Sequence, residues 1–242
     1  MKRWWSKSKN QIITFTSMDD HVWNVREKPV PTSNYLPSWW KNMPHYSKGR
    51  TEIELAPGPT VTVKRCLSAF DAITAGYTVP LWADVKVNYD VDSNTFVNWV
   101  TEHPVFDVWD KFQISDYELP NDCSPIVFKY LHRWSITTPP GWSSLITHPI
   151  GYSNLPFKVI SGIVDTDKLI TEINTPIVFK KNFKGILEKG TPMFQIIPIK
   201  RDNWESKYVQ GDSKMFEYSL ETLKTKIISY YGRYLRQPKN YK

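Results

Sequence analysis

Cysteine is nearly absent: Cys66 and Cys123 are the two in 242 residues. Lacking CxxC spacing, they suggest neither a zinc site nor a disulfide framework, and two buried free thiols are expected. Histidine is scarce as well. Among His21, His45, His103, His132 and His148 no two lie at the helical spacing of a zinc site, and no His-x-Asp pair supplies an iron facial triad. The tight cluster Asp19-Asp20-His21 reads as a loop, so no metal and no cofactor is expected. There is no P-loop and no dinucleotide fingerprint. No run of about 18 apolar residues exists, which excludes a helical membrane span. The first residues, Met1-Lys2-Arg3-Trp4-Trp5-Ser6-Lys7, are basic without the apolar stretch of a secretory signal. Ten glycines stand against eighteen prolines. Proline is kept out of helix interiors and central strands, so this balance argues against a helical domain and for many short strands joined by rigid loops.

What the chain has is aromatic mass. Eleven Trp, thirteen Tyr and eleven Phe compensate for an apolar content of 40%, since each ring removes a large area from water. The length allows a full core in one domain of about 150–200 residues with appendages. Charge is uneven. Residues 1–10 carry four Lys/Arg and no acid, and residues 222–242 carry six and no acid, which leaves −3 for the middle of a chain of net charge +7. A nucleic-acid groove across the fold is therefore not expected; basic ends touching an acidic neighbour, or simply solvated, are.

Strands are expected at residues 10–17, at 60–65 with its Thr-Val-Thr-Val alternation, through 76–87, and at 94–100 after a turn at 90–94. Residues 101–125 read as an irregular loop and residues 126–137 as one long strand. Then Ser161-Gly162-Ile163-Val164-Asp165, the β-rich run 170–179, and Gly190-Thr191-Pro192-Met193-Phe194-Gln195-Ile196-Ile197-Pro198 read as strands turning tightly around one acidic residue. Prolines between 28 and 50 forbid a long helix; Ser38 caps at most a single turn bearing Trp39-Trp40, in an arm whose indoles fill grooves of this chain or of a neighbouring copy. Beyond the caps Asp212 and Ser213, apolar residues recur at Phe216, Leu220, Leu223, Ile227, Tyr230 and Tyr234. That stripe lies on one face of a helix, which docks on the parent sheet or pairs with a copy of itself. Gly232 weakens its last turn by about 1 kcal/mol relative to Ala.

Four segments stand out together: Thr74-Ala75-Gly76-Tyr77-Thr78-Val79, Gly141-Trp142-Ser143-Ser144-Leu145, Gly162-Ile163-Val164-Asp165 and Gly190-Thr191-Pro192-Met193-Phe194-Gln195-Ile196. In this order they resemble four motifs of the trimeric dUTPase and dCTP deaminase superfamily. The resemblance implies a β-clip fold and a nucleotide site in which Asp165 orients the attacking water. Ser143 and Ser144 would contact phosphate, Tyr77 would border the base, and Gln195 would be a further ligand contact. The chain also departs from the pattern. Thr78 stands where the superfamily has an acid, Trp142 where it has a phosphate-facing Arg, and its Gly-rich carboxyl-terminal motif has no counterpart here. Polyphosphate recognition needs N–H donors and cations, and an indole supplies neither. Taken by itself, Val164-Asp165-Thr166-Asp167 is also an Asx turn whose Asp bonds its own backbone. Ser143 and Ser144 lack the small-residue elbow of a nucleophilic serine.

Further stretches, Met18-Asp19-Asp20-His21-Val22-Trp23, the Trp-Trp arm at 36–44, Thr62-Val63-Lys64-Arg65-Cys66, residues 162–167 and the block 197–204, resemble a family of proteins encoded by tailed phages of marine bacteria. That implies a phage product of the host cytoplasm or the virion. The expected fold is mainly β: a β-sandwich or β-clip-like domain over residues 50–205, an extended aromatic, Pro-rich arm with one strand over 1–49, and a C-terminal α-helix with a basic tail over 206–242. The expected function is non-enzymatic, through protein–protein contacts, as a virion or accessory component that self-associates, a trimer being conceivable. The alternative is a nucleotide-binding or nucleoside-triphosphate-hydrolysing dUTPase-like protein with Asp165 as its catalytic group. A third reading is DNA association through the basic tail.

Overall fold

Short strands dominate, as the proline content requires. The computed structural model describes residues 11–24, 27–47, 61–88, 96–114 and 116–242. The basic residues 2–9 and the turn expected at 90–94 lie outside them. Along the chain run β1 (Thr14–Thr16), α1 (Asp20–Asn24), β2 (Val30–Pro31), α2 (Ser38–Asn42), α3 (Leu67–Ile73), β3 (Tyr77–Pro80), β4 (Val85–Asn88), β5 (Phe96–Trp99) and β6 (Phe106–Val108). There follow β7 (Cys123–Tyr130), β8 (Ser135–Thr137), β9 (Trp142–Thr147), β10 (Phe157–Val159), β11 (Gly162–Val164), β12 (Thr175–Lys180), β13 (Lys184–Leu187), β14 (Pro192–Lys200) and α4 (Ser213–Tyr230). The fold is thus mainly β with a carboxyl-terminal helix. No helix among the described residues is long and apolar enough to cross a membrane. The chain divides into two units, one comprising Met1–Val30 and Gly76–Arg201, the other Pro31–Ala75 and Asp202–Lys242.

The strands form ladders in the orders β10-β12-β7-β6, β11-β9-β14-β3-β2, β13-β4-β5 and β1-β8, antiparallel in all pairings inside the first unit. One core serves them all. Tyr130 and Phe128 of β7, Phe157 of β10, Phe179 and Ile177 of β12, and Phe194, Met193 and Ile196 of β14 are buried together with Leu81, Trp82 and Val22. The rings meet mostly edge to face, Phe128 and Phe179 with centroids 5.4 Å apart, the geometry their quadrupoles favour. Polar groups inside are mostly satisfied, the Thr175 hydroxyl and His148 Nδ1 being buried exceptions. The Tyr130 hydroxyl donates to the Pro80 carbonyl at 2.7 Å and accepts from the Trp82 N–H at 3.2 Å. β14 is central, pairing β3 from Pro192 to Ile196 and β9 from Gln195 to Lys200. Pro198 lies past the end of the β3 pairing, where the strand has a neighbour on one side only, a setting in which sheets tolerate proline. Gly76, at φ 65°, enters β3 so close to this strand that a Cβ there would sit 1.8 Å from the Ile196 carbonyl oxygen.

The second unit is built differently. Trp40 of α2 is buried and its ring lies 6.1 Å from that of Phe70 in α3, while Trp39 remains half-exposed. The Lys64 ammonium donates to the Lys41 carbonyl at 2.8 Å and also to that of Trp40, closing the end of α2. Asp71 of α3 is buried under Arg236, which grips both carboxylate oxygens, and Lys239 at 3.0 Å. The Arg236 hydrogen bond holds the Asp71 carboxyl below its ordinary range against the opposing effect of burial. A π-helical turn, Tyr231–Leu235, follows α4, and a Cβ on Gly232 would meet Leu67 Cδ1 at 2.9 Å. Gly232 therefore does more than weaken a turn; it admits α3 at close range.

Five expectations are corrected. Asp20 and His21, read as part of a loop, open the helix α1, where Asp19 accepts from the Val22 N–H. Residues 61–65 are not a strand: Val61 makes a single bridge to Tyr46, and Val63–Arg65 turns as a 3-10 helix into α3, with both valines exposed. Alternation without a buried face gave the segment nothing to pair for. Residues 126–137 break into β7 and β8 because the His132 Nδ1 accepts from the Trp134 N–H at 3.1 Å and Arg133 adopts φ 62°. Residues 101–125 contain β6, which pairs β7. Of the two free cysteines only Cys123 is buried; Cys66 is exposed ahead of α3.

Candidate functional site

Three strand ends converge. The register pairs Val164 with Ser144, Ile199 with Ser143 and Lys200 with Trp142, so β11 delivers Asp165, β9 delivers Ser143, and β14 delivers Arg201 to one edge of the five-stranded sheet. The Ser143 hydroxyl donates to Asp165 Oδ1 at 2.7 Å. Arg201 Nη1 donates to that same oxygen and to the Ser143 oxygen, each at 3.1 Å, to the Trp142 carbonyl at 3.1 Å, and to Asp167 Oδ1 at 2.8 Å; its Nη2 donates to Asp167 Oδ2. Asp167 also accepts from the Gly141 N–H at 2.9 Å. Its side chain is only 5% exposed, whereas that of Asp165 is 61% exposed.

Behind this surface lies a buried hydroxyl chain. Thr166 Oγ1 meets Thr138 Oγ1 at 2.7 Å and Ser144 Oγ at 2.9 Å, and all three residues are buried. The tight turn after β11 is closed by the Asp165 carbonyl, which accepts from Lys168 and Leu169, each at 3.0 Å. The carboxylate is thereby left to face Ser143 and Arg201. The Asx-turn reading of Asp165 is thus not what the structure contains: the turn exists, but its side chain points to other strands.

Both acids are ionised at neutral pH. The Ser143 hydrogen bond, ahead of Arg201, lowers the Asp165 carboxyl against partial burial and the repulsion of Asp167. Arg201 first, and then the Gly141 N–H, holds Asp167 at about 2. The guanidinium, bonded to both, is raised in turn, chiefly by Asp167. A carboxylate held this low can orient a water by accepting its proton bond, but it is a poor base near neutrality. Ser143 donates to an acid and no histidine partners it, so nucleophilic catalysis has no base. Two acids around one guanidinium leave a net negative charge, which opposes a polyphosphate unless the anion displaces a carboxylate from Arg201.

The other residues singled out from the sequence lie apart from this cluster. Ser144 is committed to Thr166 inside the protein. Gln195 is fully buried and its Oε1 accepts from the Ile150 N–H at 2.9 Å, anchoring the loop after β9. Tyr77 packs edge-on against Phe15 at 5.3 Å. Asp19 Oδ1 accepts from the Val22 N–H at 3.2 Å at the start of α1, and His21 stacks on His103 at 4.7 Å. Among the described residues no group of three or more His, Cys, Asp or Glu could hold a metal ion. The residue that sequence reasoning missed is Arg201. Trp142 had suggested that the cation was lost, yet a guanidinium rests on the Trp142 carbonyl. Its place one residue past the pairing of Lys200 with Trp142, where its N–H donates to the Gly141 carbonyl at 2.9 Å, is set by the register of β14 against β9 and left no local signal in the sequence.

The chain is similar in shape to the native dUTPase of EIAV, with a TM-score of 0.31 and 14% identity over 56% of this chain and 87% of that one. No family model and no curated protein matches the chain.

Proposed function

We propose that this protein works by protein–protein contact, through the segment that follows β14. The observation carrying this reading is a run of large apolar side chains with no cover among the described residues. Residues 202–221 are all exposed, and among them Trp204 is 89%, Tyr208 94% and Phe216 66% exposed, with Val209, Met215 and Tyr218 alongside. Single exposed apolar residues are ordinary; six in one short segment, two of them aromatic and almost fully solvated, mark an interaction surface. Under this reading the product is a virion or accessory component of a phage, acting in the host cytoplasm or the particle, which the resemblance to marine tailed-phage proteins supports. The test is proteomic analysis of particles, with in-cell cross-linking of the wild-type chain and of a Trp204→Ala/Tyr208→Ala variant. Cross-links that the variant loses are expected. An uncross-linked chain absent from particles overturns the reading.

A second reading is favoured by one observation: the four segments resembling the dUTPase and dCTP deaminase motifs supply β3, β9, β11 and β14, which are neighbours in one sheet. Under it the fold is a β-clip, Asp165 orients a water, and Arg201 with Ser143 meets the phosphates of a nucleotide. Thermal shift and pyrophosphate release across nucleoside triphosphates test it. A ligand at about 100 times its dissociation constant adds about 2.7 kcal/mol, a readily measured rise in melting temperature. No shift with any nucleotide removes it. DNA binding by the basic tail is weakened as a third reading, because two of the six cations at residues 222–242, Arg236 and Lys239, are held by Asp71.

A further inference from the structure

The helix α4 is apolar on more than one face where it begins. Met215 and Tyr218, three residues apart, share one face, and Phe216 and Leu220, four apart, share the next. All four are exposed. A helix with so wide an apolar surface is normally enclosed by other elements, and helices of this length gain most of their stability from packing rather than propensity. Its charge is also divided. Residues 212–221 hold Asp212, Glu217 and Glu221 against Lys214, while residues 222–242 hold six Lys/Arg and no acid. Of these six, Lys224 and Lys226 lie within α4 itself, so its carboxyl-terminal half is basic whether or not Arg236 and Lys239, beyond the helix, are engaged by Asp71.

Resting on the protein-contact reading above, we infer that the partner of α4 is α4 of a second copy of this chain, laid antiparallel, with the Phe216/Leu220 face at the seam and the acidic start of each helix beside the basic end of the other. Orientation follows from charge. Parallel helices would set basic half against basic half, a like-charge arrangement that disfavours association. Antiparallel helices set Glu217 and Glu221 near the partner's basic half and bury the apolar face in the same step. The recurrence Phe216, Leu220, Leu223, Ile227, Tyr230, Tyr234 supplies the spacing that such a seam requires.

The experiment is light scattering of the full chain across concentration at low and high salt, beside Phe216→Glu/Leu220→Glu and Glu217→Lys. The wild type is expected to exceed the mass of one protomer. Both variants are expected to dissociate more readily, with unchanged melting of the isolated chain because the substituted side chains are exposed. Between about 50 mM and 500 mM salt the association should weaken by about threefold or more, as opposed charges are screened. A wild type that stays monomeric at about 100 μM overturns the inference and leaves protein contact with a different partner standing, to be judged by the cross-linking test. An oligomer indifferent to both variants overturns the α4 seam alone. Association that strengthens with salt overturns the antiparallel arrangement.

Discussion

The two units solve the problem of stability by different means. In the first, ladders of short strands share one aromatic core, and β14 carries five consecutive buried residues from Pro192 to Ile196. In the second, α2 and α3 meet through Trp40 and Phe70, and the chain's end is fastened to α3 by the ion pairs of Asp71. Apolar burial is spread over many atoms and is not weakened by charge screening, whereas an ion-pair clasp depends on charge state and on a few atoms. The difference teaches where each unit should fail. The first should fail as a whole when packing or backbone fit is disturbed; the second should loosen locally.

The harshest way to break the first unit is Gly76→Ala. A Cβ 1.8 Å from a backbone carbonyl of the central strand, at φ 65°, displaces β3 or β14, and a loss of more than about 4 kcal/mol, read as insoluble or unfolded protein, is expected. Phe194→Ala empties the centre of the core and should cost about 3–5 kcal/mol by urea unfolding. Acid sharpens the contrast next. His132 is fully buried, accepts at Nδ1 from the Trp134 N–H and faces the Ile173 carbonyl with Nε2 at 2.6 Å, and burial pushes its pKa from 6.5 to about 4. The unfolded chain takes up a proton that the folded chain refuses, so this stability is complete above pH 6.5. It is lost as the pH falls toward 4, by about 3 kcal/mol. Urea unfolding at stepped pH checks it, and a flat profile through that window contradicts it. In the second unit Asp71→Asn should release the carboxyl-terminal residues at a cost of about 1–3 kcal/mol, seen as faster proteolysis there while the melting of the first unit stays put. Smallest of all, Trp204→Ala should change stability by less than about 0.5 kcal/mol, since its indole is solvated.

Much of the sheet was legible in the sequence because β-branched runs bounded by Gly and Pro declare themselves. Gly162–Val164 falls within a segment read as a strand, Pro192–Lys200 begins in the segment 190–198 and runs two residues past it, and the carboxyl-terminal helix begins after its Asp212 cap, whose side chain accepts from the Lys214 N–H. The errors have a common cause. At residues 61–65 the alternating pattern has no buried face, and in 126–137 a left-handed Arg133 beside the His132–Trp134 hydrogen bond turns the chain, neither of which local periodicity encodes. α3 escaped notice because seven residues, Leu67–Ile73, are too few to show a helical period. In the candidate site, Asp165 beside Ser143 was within reach of motif reasoning. Arg201 was not, because its partnership with Asp165 and Asp167 is fixed by the register of β14 against β9, which no local window contains.

The central position of β14 has a consequence for how the molecule is born. The strand that fills the slot between β9 and β3 is the last of the first unit to be synthesised. Until it leaves the ribosome, the older strands wait with a gap in their sheet and unpaired edges on both sides, the situation in which nascent chains attract chaperones or each other. Maturation is therefore gated by the arrival of residues 192–200, and refolding in the test tube should be slow for the same reason, the decisive pairing joining segments more than a hundred residues apart.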